Sequence, residues 1–294
     1  MSKPKVLLTG ATSPVSRFAA AELLKLGVDI RVQVHKLDER SEKLASLGAE
    51  VVVGDFFSYN DARAALNGIA SAFFLYPIVP HLIEATAIFA QAALDSGTQS
   101  IVNMSQISAR EDAASHAAQN HWIAERIFDR TGISTTHLRP TFFAQWLLYP
   151  PFLATIKNQG EIRLPFGKGR HAPIAAEDQG RLVAKILSEP ISHAGKTYNL
   201  HGPVELDQDG IAKAVGATLG RSIRYIATDL AEFQSLMGDS SNFSPFLVQH
   251  LCAVAIDYRN GIFAGYDDLV EEITGIPALT VEQFVALNRA SFNA

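Results

Sequence analysis

The stretch KVLLTGATSPVSRFAAAELLKLG, residues 5–27, determines the fold that the sequence predicts. An apolar run at residues 6–8 ends just before Gly10, and apolar residues then recur at helical spacing. This pattern predicts a strand, a tight turn and a helix, with Ser13 as the N-cap and Pro14 in the first helical turn. Because the first N–H groups of a helix are unpaired and its dipole is positive there, such a turn is an anion site.

The turn carries only part of the glycine pattern with which dinucleotide-binding folds hold a pyrophosphate. Gly10 is present, but Ser13 and Ser16 occupy the next two glycine positions. The Cβ of Ser13 takes room where the backbone would approach a phosphate, while its hydroxyl offers a hydrogen bond. On these residues alone, an ordinary βα unit and a dinucleotide loop are both open. The predicted loop residues are Gly10, Thr12, Ser13, Pro14 and Val15.

Composition narrows the class of protein. The chain has 294 residues, of which 48% are hydrophobic and 19% charged, as in a globular protein. A net charge of -5 without a basic cluster disfavours nucleic-acid binding. The single cysteine, Cys252, excludes an intramolecular disulfide and fits a reducing compartment. Since the first strand starts the chain and no apolar run reaches membrane-spanning length, we expect a cytoplasmic protein without a signal peptide or membrane contact.

Strand-like and helix-like patterns alternate over the first half, which is typical of a parallel sheet with crossover helices. Further strands are predicted at 29–34, 50–53, 70–75, 100–104 and 134–138, and helices at 41–47, 59–66, 81–96 and 116–130.

The second half is less regular. Prolines and glycines at positions 150, 151, 160, 165, 167 and 169 predict loops. Short helices are predicted at 177–188, 207–219, 244–255, 266–273 and 281–289. We therefore expect an α/β protein with a doubly wound parallel sheet of the NAD(P)-binding Rossmann type at residues 1–150. A smaller, mostly helical lobe at 151–294 is expected to be partly interwoven with it.

Several short motifs occur in an order that is more specific than any one of them. They are LLTGAT (7–12), GAEVVVGDF (48–56), AFFLYP (72–77), LRPTFFAQ (138–145), GKGRHAPIAAEDQGRLVAKIL (167–187), HAGKTYNLHGP (193–203) and LTVEQFVALNR (279–289). Together they resemble the NmrA-like branch of the atypical short-chain dehydrogenase/reductases. That group includes quinone and azo-dye reductases as well as NADP-sensing regulators.

The end of the second strand bears on the choice of cofactor. An NAD site favours an acidic residue there, whereas the 2′-phosphate of NADP favours cations. Here His35 and Lys36 follow the strand. In the family that the chain resembles, the position of His35 is typically occupied by an arginine. We expect NADP to be the cofactor, with NADPH preferred over NADH. A solvated turn is the alternative, because Asp38 and Glu39 follow closely.

The resemblance implies further cofactor contacts, each with a structural alternative. Asp55 and Phe56 would border the adenine, although Asp55 could equally start the following helix. Leu75, Tyr76 and Pro77 would border the nicotinamide ribose. Phe142, Phe143 and Gln145 would lie at the nicotinamide or merely cap the sheet.

The catalytic positions differ from those of the wider superfamily. The resemblance places Ala117 where a tyrosine normally protonates the substrate, and His121 where a lysine holds the ribose. His121 has an unperturbed pKa near neutrality and could be oriented by Glu125, or it could be a surface histidine paired with that glutamate. Ser105 is a candidate for contact with nicotinamide or substrate, or a turn-forming serine. Tyr76 is the nearest replacement hydroxyl, with aromatic packing as its alternative.

Two functions follow from these residues and the resemblance. The first is an NADPH-dependent oxidoreductase that passes hydride to a small aromatic or conjugated acceptor such as a quinone or azo dye. The second is a non-catalytic regulator that senses NADP and binds a protein partner. The sequence also leaves open whether the protein forms a homodimer. The remaining histidines lack metal-site spacing, so no metal is expected.

Overall fold

The computed structural model describes residues 5–238 and 243–293. Its strands are β1 (Lys5–Leu8), β2 (Ile30–Val34), β3 (Glu50–Val53), β4 (Ile69–Phe74), β5 (Ser100–Met104), β6 (Ser134–Pro140), β7 (Glu161–Leu164), β8 (Arg170–His171), β9 (Thr197–Leu200), β10 (Leu206–Asp207) and β11 (Arg224–Ala227). Seven of them form one sheet in the order β3-β2-β1-β4-β5-β6-β9. The chain runs outward from β1 to β3 and then returns to β4, so strand order reverses beside β1, where doubly wound folds bind ligands.

Helices connect and flank these strands. They are α1 (Pro14–Lys25), α2 (Glu39–Ser46), α3 (Tyr59–Leu66), α4 (Leu82–Asp95), α5 (His116–Asp129), α6 (Pro150–Gln159), α7 (Ala176–Ser188), α8 (Gln208–Leu219), α9 (Leu230–Gly238), α10 (Pro245–Arg259), α11 (Leu269–Thr274), α12 (Val281–Leu287) and α13 (Arg289–Asn293). The fold is the predicted one, a doubly wound parallel sheet followed by a mostly helical region. Among the described residues, no helix is long and apolar enough to cross a membrane.

The chain divides into two compact units, each assembled from separate stretches. The first unit comprises the described residues of 1–112, 117–139 and 179–198, and the second those of 113–116, 140–178 and 199–294. The core of the first unit joins β1, β4 and β5 to α3, α4 and α5. In it the ring centroid of Phe74 lies 4.8 Å from that of Phe89 and 5.3 Å from that of Phe128. These contacts hold α4 and α5 on the sheet.

Predicted and observed elements agree closely in the first half of the chain. The observed strands β2 to β6 begin or end within one or two residues of the prediction. The prediction of loops at Pro150 and Pro151 is wrong, because both prolines lie in the first turn of α6, where a missing N–H costs no hydrogen bond. Helix α11 starts at Leu269 and not at residue 266, and α6, α9, α13 and the short strands from β7 onward were not predicted.

Candidate functional site

The turn from β1 to α1 is tight and ends at the capped start of a helix. Gly10 has φ +55, and a Cβ there would lie 2.8 Å from Leu75 Cδ2 and 2.9 Å from the Leu75 carbonyl oxygen. Ser13 is the N-cap of α1, as predicted, and its hydroxyl accepts a hydrogen bond from the Ser16 N–H. Ser16 is fully buried and donates to the carbonyl of Thr9 at 3.0 Å. Serine is therefore accommodated at position 16, and the start of α1 is aimed at the turn.

Two basic side chains, His35 and Lys36, directly follow β2, and both are exposed. Asp38 does not compete for a ribose here, because its carboxylate caps α2 through the N–H groups of Arg40 and Ser41. It also pairs with the Arg40 guanidinium, and the hydrogen bond from Arg40 holds the pKa of Asp38 below its usual value. Of the two acidic groups that weighed against NADP in the sequence, Asp38 is thus engaged in the helix cap, whereas Glu39 is exposed in the first turn of α2.

The end of β3 carries Asp55 and Phe56. Asp55 does not start the following helix, because Ser58 is the N-cap of α3 and accepts a hydrogen bond from the Asp61 N–H. The carboxylate of Asp55 accepts instead from the N–H of Phe57 at 3.0 Å. The ring of Phe56 packs edge-on against Tyr76, with centroids 5.2 Å apart.

The end of β4 is fixed by its neighbour β1. The hydroxyl of Thr9 accepts a hydrogen bond from the Leu75 N–H at 2.9 Å and lies 3.2 Å from the Leu75 carbonyl oxygen, to which it donates. Tyr76 is buried, and its hydroxyl donates to the Pro80 carbonyl at 2.8 Å. Burial raises the pKa of Tyr76. Tyr76 therefore has the packing role named as its alternative, and its proton is already engaged.

A buried ion pair ties α5 to the ends of β5 and β6. The Glu125 carboxylate is fully buried, accepts from Ser105 Oγ at 2.6 Å, and accepts from Arg139 Nε at 2.8 Å and Nη2 at 2.5 Å. Burial alone would raise the pKa of Glu125, but the hydrogen bonds from Arg139 and Ser105 outweigh it and hold the pKa below its usual value. Ser105 therefore gives its proton to a carboxylate and turns only acceptor lone pairs toward other partners.

His121 and Ala117 lie on the same face of α5, one turn apart. Both are buried, each with 3% of its surface exposed. The alternative of a surface histidine is therefore wrong. Glu125, which was expected to orient His121, binds Ser105 and Arg139 in the contacts described above.

Three of the predicted cofactor-binding residues, Phe142, Phe143 and Gln145, lie in the second unit. Phe142 stacks on Phe263 with ring centroids 4.6 Å apart. Gln145 accepts from the Ala176 N–H and donates to the Glu177 carboxylate at 2.7 Å. Phe143 forms a parallel bridge with Ile174. All three make these contacts within the second unit, and their place at the nicotinamide stays a prediction.

Sequence reasoning missed Thr9, Gln33 and Arg139. A Cβ on Gly54 would lie 2.8 Å from Gln33 Nε2, so that glycine leaves room for a buried amide. Thr9 and Arg139 were inside quoted motifs, and the signal that could have found them is a polar residue next to a strand end.

In the first unit, the carboxyl ends of adjacent parallel strands are followed by most of the predicted cofactor-binding residues. These are the residues of the turn after β1, together with His35, Lys36, Asp55, Leu75 and Ser105. The turn at Gly10, the helix start behind it and the basic pair after β2 are of the kind that suits a dinucleotide phosphate. No group of residues suited to hold a metal ion occurs in the described chain.

The sheet order and its flanking helices define a fold of the Rossmann class. The family model for the NmrA-like family matches residues 2–253, and the chain belongs to that family. The chain is 26% identical over 294 residues to NAD(P)H azoreductase from Xenophilus azovorans, covering 98% of this chain and 99% of the relative.

Two solved structures have the same fold. An NADPH-dependent quinone oxidoreductase from Escherichia coli, in complex with NADPH, superposes with a TM-score of 0.85 at 20% identity, covering 97% of this chain and 99% of that one. Triphenylmethane reductase from Citrobacter sp., in complex with NADP(H), superposes with a TM-score of 0.82 at 23% identity, covering 95% and 98%.

Proposed function

We propose that this protein is an NADPH-dependent reductase that transfers a hydride to a conjugated acceptor such as a quinone or an azo dye. The observation that carries the proposal is the buried face of α5, where Ala117 replaces a phenol and His121 follows one turn later. A simple carbonyl needs a strong proton donor as the hydride arrives. A conjugated acceptor spreads the incoming charge and needs less help, so it suits a site without that phenol.

The proposed roles follow from where protons are held. Bound NADPH would supply the hydride. The hydroxyl protons of Ser105 and Tyr76 are donated to Glu125 and to the Pro80 carbonyl, which makes both poor acids toward a substrate. We therefore assign proton donation, or a hydrogen bond to the nicotinamide ribose, to His121, and we assign the positioning of α5 to Glu125 and Arg139.

The similarity to an azoreductase along nearly the whole chain supports this proposal. The regulatory alternative has less support, because the relative that matches along nearly the whole chain is a reductase. We propose a reducing, cytoplasmic setting, which fits the single cysteine.

Nucleotide preference is the first test. We expect NADPH to bind more tightly than NADH, since each charge-assisted contact from His35 or Lys36 to the 2′-phosphate contributes about 1.5–3 kcal/mol. Calorimetry on the wild type and on the double variant His35→Asp, Lys36→Leu measures this, and the preference should vanish in the variant. Equal affinities in the wild type would contradict the assignment of the basic pair.

Turnover is the second test. Steady-state oxidation of NADPH should be fast with quinones and azo dyes and slow with simple aldehydes. His121→Ala should raise the KM for NADPH several-fold and lower the maximal rate. Ala117→Tyr should extend activity toward aldehydes. NADPH binding without turnover of any acceptor would favour the regulatory alternative.

A further inference from the structure

An uncharged cavity lies within the second unit, between α9 and α10. Its volume is about 790 Å³, and its apolar wall includes Leu230, Phe243, Val248, Cys252 and Ile256. None of the residues that line it carries a charge. Cavities of roughly 300–1,000 Å³ with mostly apolar walls are typical of small-molecule sites.

One wall of the cavity is anchored to the segment that leads into α5. Gln249 donates to the Ala114 carbonyl at 2.9 Å and accepts from the His116 N–H at 3.1 Å, so both ends of its amide are engaged. Ala114 itself lines the cavity and lies two residues before α5 begins. This wall of the cavity is therefore held in place by hydrogen bonds within the second unit.

We propose that this cavity binds the acceptor, and that it selects neutral, conjugated ring compounds. This inference rests on the proposed function for the choice of ligand. A charged ligand would lose its hydration here without gaining an opposite charge, whereas a neutral ring system exchanges water for apolar contact. Gln234, exposed at the wall, offers an amide to a quinone oxygen or an azo nitrogen.

Cys252 provides a reporter inside the cavity, because it is the chain's single cysteine and is partly exposed. Burial raises the pKa of its thiol, so the thiol is mainly protonated at neutral pH and its labelling is slow enough to follow. The experiment measures alkylation of Cys252 by N-ethylmaleimide, by mass spectrometry, with and without azobenzene or duroquinone. Every ring carbon of duroquinone that a thiol would attack carries a methyl group, so protection reports binding.

We expect saturable protection. At a ligand concentration about ten times the dissociation constant, labelling should slow about tenfold, because the open fraction of sites falls in that proportion. Ile256→Lys places a charge at the cavity wall, where the native side chain is 44% exposed, and should abolish protection and raise the acceptor's KM. Ile262→Lys is the matched control, since Ile262 is 37% exposed in the same unit but does not line the cavity.

The outcomes separate this inference from the proposed function. Protection without turnover would keep the cavity as a ligand site and remove the reductase. Turnover without protection, or with an unchanged KM in Ile256→Lys, would overturn the cavity assignment and leave the reductase intact. Protection that depends on protein concentration and not on ligand would show that a second copy of the chain covers the cavity, and would also overturn it.

Discussion

Gln179, in α7, is a buried amide whose side chain is not satisfied by the fold. It is 0% exposed, and neither its oxygen nor its nitrogen has a hydrogen-bond partner among the described residues. Burying an unpaired polar group costs about 1–3 kcal/mol. We therefore expect Gln179→Met, which keeps the length of the side chain, to raise the free energy of unfolding by about 1–3 kcal/mol in urea titrations.

Gln208 is the control for this substitution. It is also buried, but its amide donates to the Tyr258 hydroxyl at 2.8 Å. Gln208→Met should therefore lower the free energy of unfolding. Loss of stability in both variants would mean that Gln179 is satisfied after all, and the argument from its burial would fail.

Single residues were predictable from sequence where a local rule governs them. The cap at Ser13 follows from its place before a helix, and the structure shows it. The Glu125 carboxylate was placed beside His121 because helical spacing was the available information. Its partner Arg139 lies in β6 and its partner Ser105 directly follows β5, and no local pattern records such a pairing.

At the scale of elements, α1 and α7 pack with their backbones close together. A Cβ on Gly180 would lie 2.9 Å from the Ala19 nitrogen and would overlap Phe18 Cβ. Helix propensity alone predicts that Gly180→Ala stabilises α7 by about 1 kcal/mol. Overpacking predicts the opposite, a loss of about 1–3 kcal/mol.

We expect overpacking to prevail, so thermal unfolding of Gly180→Ala should begin at a lower temperature than in the wild type. Because α1 begins at the turn that we propose binds the phosphates of NADPH, the affinity for NADPH measured by calorimetry should fall as well. A variant more stable than the wild type would show that α7 can move away from α1 at little cost.

Helices and strands were predictable in the first half of the chain because strand-like and helix-like patterns of apolar residues alternate there. β3, β4 and β5 each contain a short apolar run, β2 alternates apolar and polar residues, and the helices between the strands are longer. In the second half the strands are as short as the two residues of β8, which is too few for a period to register. Pro150 and Pro151 mislead in a different way, since a proline marks a loop and a helix start equally well.

At the scale of the whole molecule, two buried histidines set an acid limit to stability. Burial lowers the pKa of His171 to about 3 and that of His250 to about 4. Unfolded, each would titrate near its ordinary value of 6.5. Between these values the unfolded chain binds more protons than the folded one, so stability falls as pH falls. Each histidine contributes a loss of about 2 kcal/mol by about pH 5.

Asp267 acts in the opposite direction. Burial raises its pKa to about 6, so its folded form binds the extra proton and gains stability as pH falls through that value. Two histidines outweigh one half-buried carboxyl. We expect the free energy of unfolding to be about 2–3 kcal/mol lower at about pH 5 than at about pH 7.5. The midpoint of urea unfolding should therefore lie at a lower urea concentration at the lower pH.

His171→Gln checks the assignment, because glutamine can still accept the hydrogen bond from the Tyr258 hydroxyl, which lies 2.6 Å from His171 Nδ1. Its side chain does not titrate, so the dependence on pH should be clearly shallower than in the wild type. An unchanged slope would place the acid sensitivity elsewhere.

The interleaving of the two units also limits how the chain can be divided. The seventh strand of the sheet, β9, and the helix α7 both come from beyond residue 175. A fragment that ends at residue 150 would keep six strands and leave β6 as a bare edge, with its N–H and C=O groups free to pair with another molecule. Such a fragment should aggregate when expressed alone.

A complementation assay tests whether the two pieces associate. With 1–150 and 151–294 fused to reporter halves, signal should appear only when both pieces are made together, because the later piece supplies the strand that pairs with the exposed edge of the earlier one.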